Sequence, residues 1–380
     1  MAQPTNLPGT IFRKVQPQPF SPPMWLPVGN FAQGIQGPAG SPGPAGVQGP
    51  QGVAGPNGVS QVVYVNVKDF GAMGDGITDD TVAIQSAISS AANLVMWFPP
   101  GTYLCSTLIV MAGNFVTLSA VSGAVVLKKN AGSTPSIMRI TGNYCTIQDI
   151  QFDGSSVASG NSCLEITGTF NKILRCFMSN ATGHGIDLDG SLALGSASNN
   201  WIEDCYIHNN TGIGISQYTA TDNTIVNNQI YFNGDEGVTV DVASYRCKII
   251  GNWIVQNCQS GGAGNISLDQ GDLCIIQGNH ILGAAGSTHG IVTNNNIGAT
   301  NYCIISGNQI IDSGGKGIYL KAGTSGNASF NTVTGNVVRG SGSNSILMDT
   351  GCNSNAIVAN SLNGVSVSDG GSSNSVANNT

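Results

Sequence analysis

The chain has 380 residues, of which only 9% are charged, while glycine reaches 53 and the formal net charge is −7. Residues 1–60 carry no acid and two bases, Arg13 and Lys14, so the rest of the chain bears all 20 acids against 11 bases, a net charge of −9. That sign excludes a nucleic-acid surface and an anionic-membrane surface. No apolar run approaches the ~20 residues of a membrane span, and no charged region leads into an apolar stretch at the N-terminus. No membrane insertion is expected, and assembly in a cell's cytosol is.

Residues 1–33 hold seven prolines and little periodicity, which predicts a segment that orders against a partner rather than folding alone. Phe12, Phe20, Trp25, Leu26 and Phe31 are its expected anchors. Residues 34–60 follow, with nine glycines from Gly34 to Gly58 at strict three-residue spacing. Gly-X-Y repeats of this kind form a collagen triple helix, because only glycine fits where three chains meet at the axis. The run predicts a homotrimer on a stalk of roughly 80 Å. This places the base of the molecule at its N-terminus.

Residues 61–135 read as a cap. Val62 to Val67 is an expected strand, and Thr78-Asp79-Asp80 opens a helix with acids at its positive end. Ile84, Ala87, Ile88 and Ala91 follow at i, i+3, i+4, i+7 as one apolar stripe, then Leu94 to Phe98 forms a strand closed by Pro99-Pro100-Gly101. The stretch NVKDFGAMGDGITDDTVAIQSAI, followed by MWFPPGTYL, closely resembles the opening of the pectate-lyase-like right-handed parallel β-helix proteins. That resemblance implies that the helix covers the open end of the β-helix. It implies nothing about chemistry, because the same opening precedes lyases, hydrolases, epimerases and phage tailspikes.

From residue 136 to 380 the chain aligns with itself. Inward apolar positions recur at Met138, Leu164, Ile186, Ile213, Val238, Ile266, Ile291, Ile318, Ile346 and Val365, every 19–28 residues. Each has an inward partner two residues on, among them Ile215, Val240, Leu268, Val292 or its neighbour, and Val367. Short alternating strands at this period predict an all-β parallel solenoid of about ten coils. Two further columns support the register: Asn228, Asn252, Asn279, Asn308, Asn336, Asn360 and Asn379, preceded by Cys205 and Cys176; and Cys145, Asn171, Asn200, Asn223, Cys247, Cys274, Cys303, Asn331, Asn355 and Asn374. Stacked asparagines can bond to one another along the axis. Six of the ten cysteines fall in these columns, which predicts buried thiols rather than disulfides. The final coil is rich in Ser and Asn, and its open edge is expected to be covered by the trimer or another segment.

The alternation sorts the outward residues. Phe177, Tyr206, Trp253 and His280, with Tyr231, Val255, Leu282 and Ile311, form an apolar face expected to contact the other copies; Tyr206 and Trp253 are alternatively a sugar-stacking platform. A second, polar face carries Glu165, Asp187, Asp189, Asp241, Asp269 and Asp349, with His184 and Glu236 just before their strands. Asp241 and Asp269 should lie ~5 Å apart on adjacent coils, close enough to raise one pKa as a general acid requires. An exposed acidic strip that only keeps the protein soluble explains the same pattern. Gly183-His184-Gly185 resembles a motif of polygalacturonase-type hydrolases, without their Asn-Thr-Asp or Arg-Ile-Lys partners. Arg175, Arg246 and Lys248 form no cluster of the lyase kind. No cofactor and no metal site are read.

The whole plan of arm, stalk and capped β-helix resembles bacteriophage tailspike or tail-fibre proteins. The resemblance implies a virion protein, docked through residues 1–33 on a tail or baseplate component, that recognises a bacterial surface polysaccharide. Two other readings stay open: a polysaccharide depolymerase using Asp241, Asp269, Asp187, Asp189, Glu165 or His184, and a purely structural virion or cell-surface spike.

Overall fold

The structure, a computed structural model, describes residues 10–15, 24–30, 64–91, 93–130, 136–155, 160–191, 197–284, 288–363 and 366–380. The chain divides into two units, residues 1–60 and 61–380. In the first, Thr10–Val15 pairs antiparallel with Met24–Asn30, so the proline-rich arm contains a hairpin that periodicity did not reveal. The Gly-X-Y run at 34–60 lies outside the described residues.

The second unit is a parallel β-helix with three sheets of 13, 12 and 11 strands. Each coil contributes one strand to each sheet in turn, as Thr146–Gln148, Gln151–Asp153 and Leu164–Ile166 do for the first, second and third sheets. Inward residues stack in register from coil to coil: Ile147 on Ile173, Phe152 on Met178, Leu164 on Ile186. These side chains are 0% exposed, and their burial is the main driving force for winding the chain.

The helix Thr81–Ser90 closes one end, with Ile84, Ala87, Ile88 and Ala91 all buried. Gln85 explains why the closure is stable. Its side chain donates to the Val110 carbonyl at 2.9 Å and accepts from the Val110 N–H at 2.8 Å. Val110 lies in Ile109–Met111, the edge strand of the third sheet, so one amide side chain replaces the missing strand partner.

The corners are built by a two-residue rule. In most corners a residue in the left-handed region is followed by an inward Asn or Cys, whereas Val116 and Ile150 take that place after Phe115 and Asp149. Between the third and first sheets the left-handed residues include Phe115, Tyr144, Phe170, Asp222, Arg246, Tyr302 and Phe330, with φ between 57° and 60°. Side chains other than glycine are strained there, by roughly 1–2 kcal/mol each. Compensation comes from the residue that follows. At the corner between the first and second sheets, where it follows Gly251, Asn252 accepts from the Asn228 N–H at 2.9 Å, while its own Nδ2 donates to the Ile225 carbonyl at 2.9 Å and to Asn279 Oδ1 at 3.0 Å. The same linkage runs through Asn279, Asn308, Asn336, Asn360 and Asn379. The second column read from the sequence is likewise bonded, from Cys145 through Asn171 and Asn200 to Asn223, and from Cys274 through Cys303, Asn331 and Asn355 to Asn374. All ten cysteines are buried free thiols, and burial pushes Cys105, Cys163 and Cys258 up to about 12.

Two register positions differ from the periodic expectation. Ile215, not Ile213, pairs with Ile186 and Val238, so the second inward place of that coil falls to Gln217, which is 0% exposed. Ile213 instead precedes the strand, and its N–H donates to His184 Nδ1 at 3.1 Å. An apolar Ile-x-Ile pair mimicked the strand pattern, while the true strand buries a polar side chain. In the last coil Val367 pairs with Ile346 and takes the first inward place rather than the second; Val365 lies outside the described residues. In the coil of Ile291 the second inward place, read as Val292 or its neighbour, is that neighbour, Thr293.

Replacing Asn252 by Ala should destabilise the head by about 2–4 kcal/mol, because buried N–H and C=O partners lose their bonds. Asn252→Cys should cost distinctly less, since Cys205 Sγ already accepts the Cys176 N–H at 3.5 Å in the same column. Urea unfolding midpoints of the two variants check this; equal midpoints would contradict it.

Candidate functional site

The outer face of the third sheet gathers the candidate acids. Its strands present two outward columns. In the first, Arg139, Glu165, Asp187 and Ser216 are register neighbours on successive coils. In the second, Asp189, Tyr218, Asp241 and Asp269 follow one another. The pairing of Asp241 with Asp269 thus matches the sequence expectation. Tyr218, 42% exposed, stands between Asp189 and Asp241 and was not singled out from the sequence, because its coil was placed two residues out of register.

Environment separates these carboxyls. Burial, then Asp189 and Glu165, push Asp187 up to about 7, against the opposing Ser216 hydroxyl and Arg139. Asp241 rises to about 7 for the same first reason, followed by the charges of Glu236 and Asp269. Burial also raises Glu236, although its Oε1 accepts the Ala263 N–H at 2.7 Å. Glu165 is held by Arg139 Nε at 2.5 Å and by the Ser136 hydroxyl, which makes it a partner in a polar network rather than a free acid. Asp269 is 5% exposed and accepts the Ile297 N–H at 2.8 Å. Asp189 accepts the Ser191 N–H at 2.8 Å. His184 accepts the Ile213 N–H through Nδ1, and burial lowers its pKa, so the ring is neutral and joins two coils.

Tyr206 and Trp253 lie elsewhere. They project from the second sheet, where Tyr206 stacks on Phe177 at 4.7 Å and Trp253 on His280 at 4.0 Å. They therefore share no sheet face with the acids. Among the described residues, no group of three or more His, Cys, Asp or Glu side chains is placed to hold a metal ion.

The sequence reading also missed a third buried ladder, Asn210, Asn233, Asn257 and Asn265, before the third sheet. Its last step spans only eight residues, so constant spacing could not expose it. Beyond Asp269, the same outer face continues through Val292 to Tyr319, with Lys321 two residues further along the strand. The alternation Tyr319, Lys321 about the inward Ile318 and Leu320 was the available signal.

The model of the family described as rhamnogalacturonase A/epimerase, pectate lyase-like, matches residues 64–264. The chain belongs to this family. Its relatives include the pre-neck appendage protein of Bacillus phage B103, 29% identical over 230 residues that cover 52% of this chain and 26% of that protein. Mannuronan C5-epimerase AlgE6 of Azotobacter vinelandii is 29% identical over 195 residues, covering 46% of this chain and 20% of that protein. Among solved structures, the Dettilon tailspike protein superposes with a TM-score of 0.61 at 18% identity, covering 83% of this chain and 66% of that one, which establishes a shared fold. The chain spans about a quarter or less of the length of these curated relatives. The expected pectate-lyase-like β-helix is thus met; the relatives include phage pre-neck appendage proteins, and a phage tailspike protein shares the fold.

The raised acids set a pH dependence. In the folded head Asp241 and Asp187 stay neutral while the unfolded chain ionises them from 3.8 upward. Stability is therefore full below about pH 4, falls as pH rises, and is lost above about 7, by at most of order 4 kcal/mol per group. Asp241→Asn should melt at a higher temperature than the parent at pH 8 and at the same temperature at pH 4. Thermal scans at both values decide it; no difference at pH 8 would show that Asp241 is not held neutral.

Proposed function

We propose that this protein is a virion appendage that recognises a bacterial surface polysaccharide along the outer face of its third sheet. The observation that carries the reading is the column Asp189, Tyr218, Asp241 and Asp269, repeated at the coil spacing on one uninterrupted flank. Carboxyl and phenol groups in a row match the hydroxyls of a linear glycan, and an aromatic ring offers a face for sugar packing. Relatives named as phage pre-neck appendages and as epimerases of mannuronan support a virion role and a polysaccharide partner.

A depolymerase is the second reading, favoured by the two carboxyls raised to about 7 beside further acids. One carboxyl protonated at neutral pH beside an ionised one is the arrangement of acid–base glycoside cleavage. Size-exclusion chromatography of the protein with polysaccharide of a candidate host separates the readings. Co-elution of intact glycan supports recognition alone. Shortened glycan supports the depolymerase, and Asp241→Asn or Asp187→Asn should then lower the rate about a hundredfold or more. Neither signal across the hosts tested would leave a structural spike.

In this reading residues 1–33 dock on a tail or baseplate protein, the Gly-X-Y run joins three chains, and assembly takes place in the host cytoplasm. The corner between the first and second sheets supports a close threefold contact. Its left-handed positions change from Asp149, Arg175, Asp204 and Asn227 to Gly251, Gly278, Gly307 and Gly335, all exposed. A Cβ on Gly278 or Gly307 would meet nothing within this chain. The outward residues flanking these glycines, Ile250, Trp253, Gln277, His280, Ser306, Gln309, Thr334 and Val337, include no acid, lysine or arginine. Val255→Glu with Leu282→Glu, on the adjoining second-sheet face, should convert the head from trimer to monomer in sedimentation velocity. A head that stays trimeric would place the contact on another face.

A further inference from the structure

The third-sheet flank holds one feature that the acids do not explain. Beside Glu236, whose carboxylate accepts the Ala263 N–H, a cleft of about 260 Å3 is lined by Ala263, His289, Val292, Asn294, Tyr319 and Lys321. Val292 is 1% exposed and pairs in register with Tyr319, so an apolar side chain and an aromatic ring share the floor. Every polar group around this floor is held in place. The Tyr319 hydroxyl donates to Asp349 Oδ2 at 2.7 Å, and Lys321 Nζ donates to Asn294 Oδ1 at 2.7 Å. His289 meets the Tyr319 ring edge-on at 5.0 Å, and its Nδ1 accepts the Lys316 N–H at 3.0 Å. Lys316 Nζ lies 4.7 Å from the centre of the same ring.

The charge here runs against the rest of the head. Among the described residues Lys128, Arg139, Arg175 and Arg246 form ion pairs, while Lys68, Lys129, Lys172, Lys248, Lys316, Lys321 and Arg339 have no carboxylate within 4.0 Å; of these, Lys316 and Lys321 flank the same histidine. Both lysines bear on His289, which burial first and then the two ammonium groups push down to about 4. Asp349 accepts from the Tyr319 hydroxyl and the Ala322 N–H, and Glu236, which borders the cleft, accepts the Ala263 N–H, so both acids are engaged. Two half-buried cations without a counter-charge, gathered at a cleft on a surface of net −9, lack only an anion.

We infer that this cleft is a subsite for the anionic substituent of an acidic sugar, a carboxylate or a phosphate held between Lys316 and Lys321, with the sugar ring against Tyr319 and Val292. The inference rests on the third-sheet flank being the glycan-binding face, and it names the class of glycan. Ammonium groups supply the charge-assisted bonds, the tyrosine ring packs against the sugar, and neutral His289 offers Nε2–H as a further donor. A neutral polysaccharide would leave both lysines without a counter-charge.

Saturation-transfer NMR reads weak sugar binding directly on the intact protein. The probes are methyl glucuronoside, glucose 6-phosphate and methyl glucoside at millimolar concentration, with Lys172→Gln and Lys316→Gln/Lys321→Gln variants. Transfer to the glucuronoside or to the phosphate, absent for the glucoside, is the expected result, and the responding probe tells carboxylate from phosphate. The double lysine variant should weaken that binding about tenfold, whereas Lys172→Gln, an exposed lysine on the first sheet, should leave it unchanged. Equal transfer to the neutral glucoside, transfer that survives the double variant, or no transfer to either anionic probe would overturn the subsite. Host glycan that still co-elutes after such a failure would keep the binding face and remove only its acidic-sugar cleft.

Discussion

Everything on the surface of this head depends on how its corners are bonded. A parallel strand that must turn twice within a few residues cannot satisfy its backbone by pairing alone. The chain solves this by placing a left-handed residue at the corner and an inward Asn or Cys immediately after it. Each Asn oxygen accepts the N–H of the equivalent residue on the preceding coil, and each amide donates to a carbonyl deep in the coil, as Asn308 does to Ile276 at 2.9 Å. Desolvated bonds of this kind matter most through what their loss would leave unsatisfied. The strain of non-glycine corners such as Tyr144 and Phe170 is set against these bonds, and the stacking of Phe115, Tyr144 and Phe170 at 5.1 and 4.9 Å adds to them.

Fixed corners hold the outer faces at constant pitch, and the chemistry of the third sheet follows from that. Asp241 and Asp269 cannot move apart, because their strands are in register and Asp269 is bonded to the Ile297 N–H. Asp187 is likewise held beside Glu165, which Arg139 and Ser136 anchor. Burial first, and then the charge of the neighbouring carboxyls, is why Asp187 and Asp241 rise to about 7. Two coils on from Asp269, at Tyr319 and Lys321, the same face changes from acidic to cationic and aromatic. A glycan lying along the axis would therefore meet different chemistry at each coil. That gradient is what separates a selective surface from a merely soluble one.

Much of this architecture was legible in the sequence because it repeats. The two long ladders, the buried thiols, the apolar stripe of the N-terminal helix and the Asp241–Asp269 column were read from spacing and alternation, and the capping role of that helix from the family resemblance. Where the reading failed, a local pattern imitated the repeat: Ile213 and Ile215 looked like an inward pair, but Gly214 sits in the turn and the strand buries Gln217 instead. The third ladder escaped because the loop after Asn257 makes its last step eight residues long. The cleft at Tyr319 escaped for another reason. It joins His289, Lys316, Tyr319 and Asp349 from three consecutive coils, and no single segment carries its signature. Linear patterns show what repeats, whereas sites arise where neighbouring coils differ.

The central claim is that the corner ladders hold the coils in register, and hydrogen exchange of the native protein tests it most directly. The backbone N–H groups of Asn228, Asn252, Asn279 and Asn308, each bonded to an asparagine side chain one coil on, should exchange only by global unfolding. Protection at these residues equal to that of the central strand amides is the predicted result. Exchange as fast as that of exposed turn residues would mean that the ladders follow the fold rather than hold it.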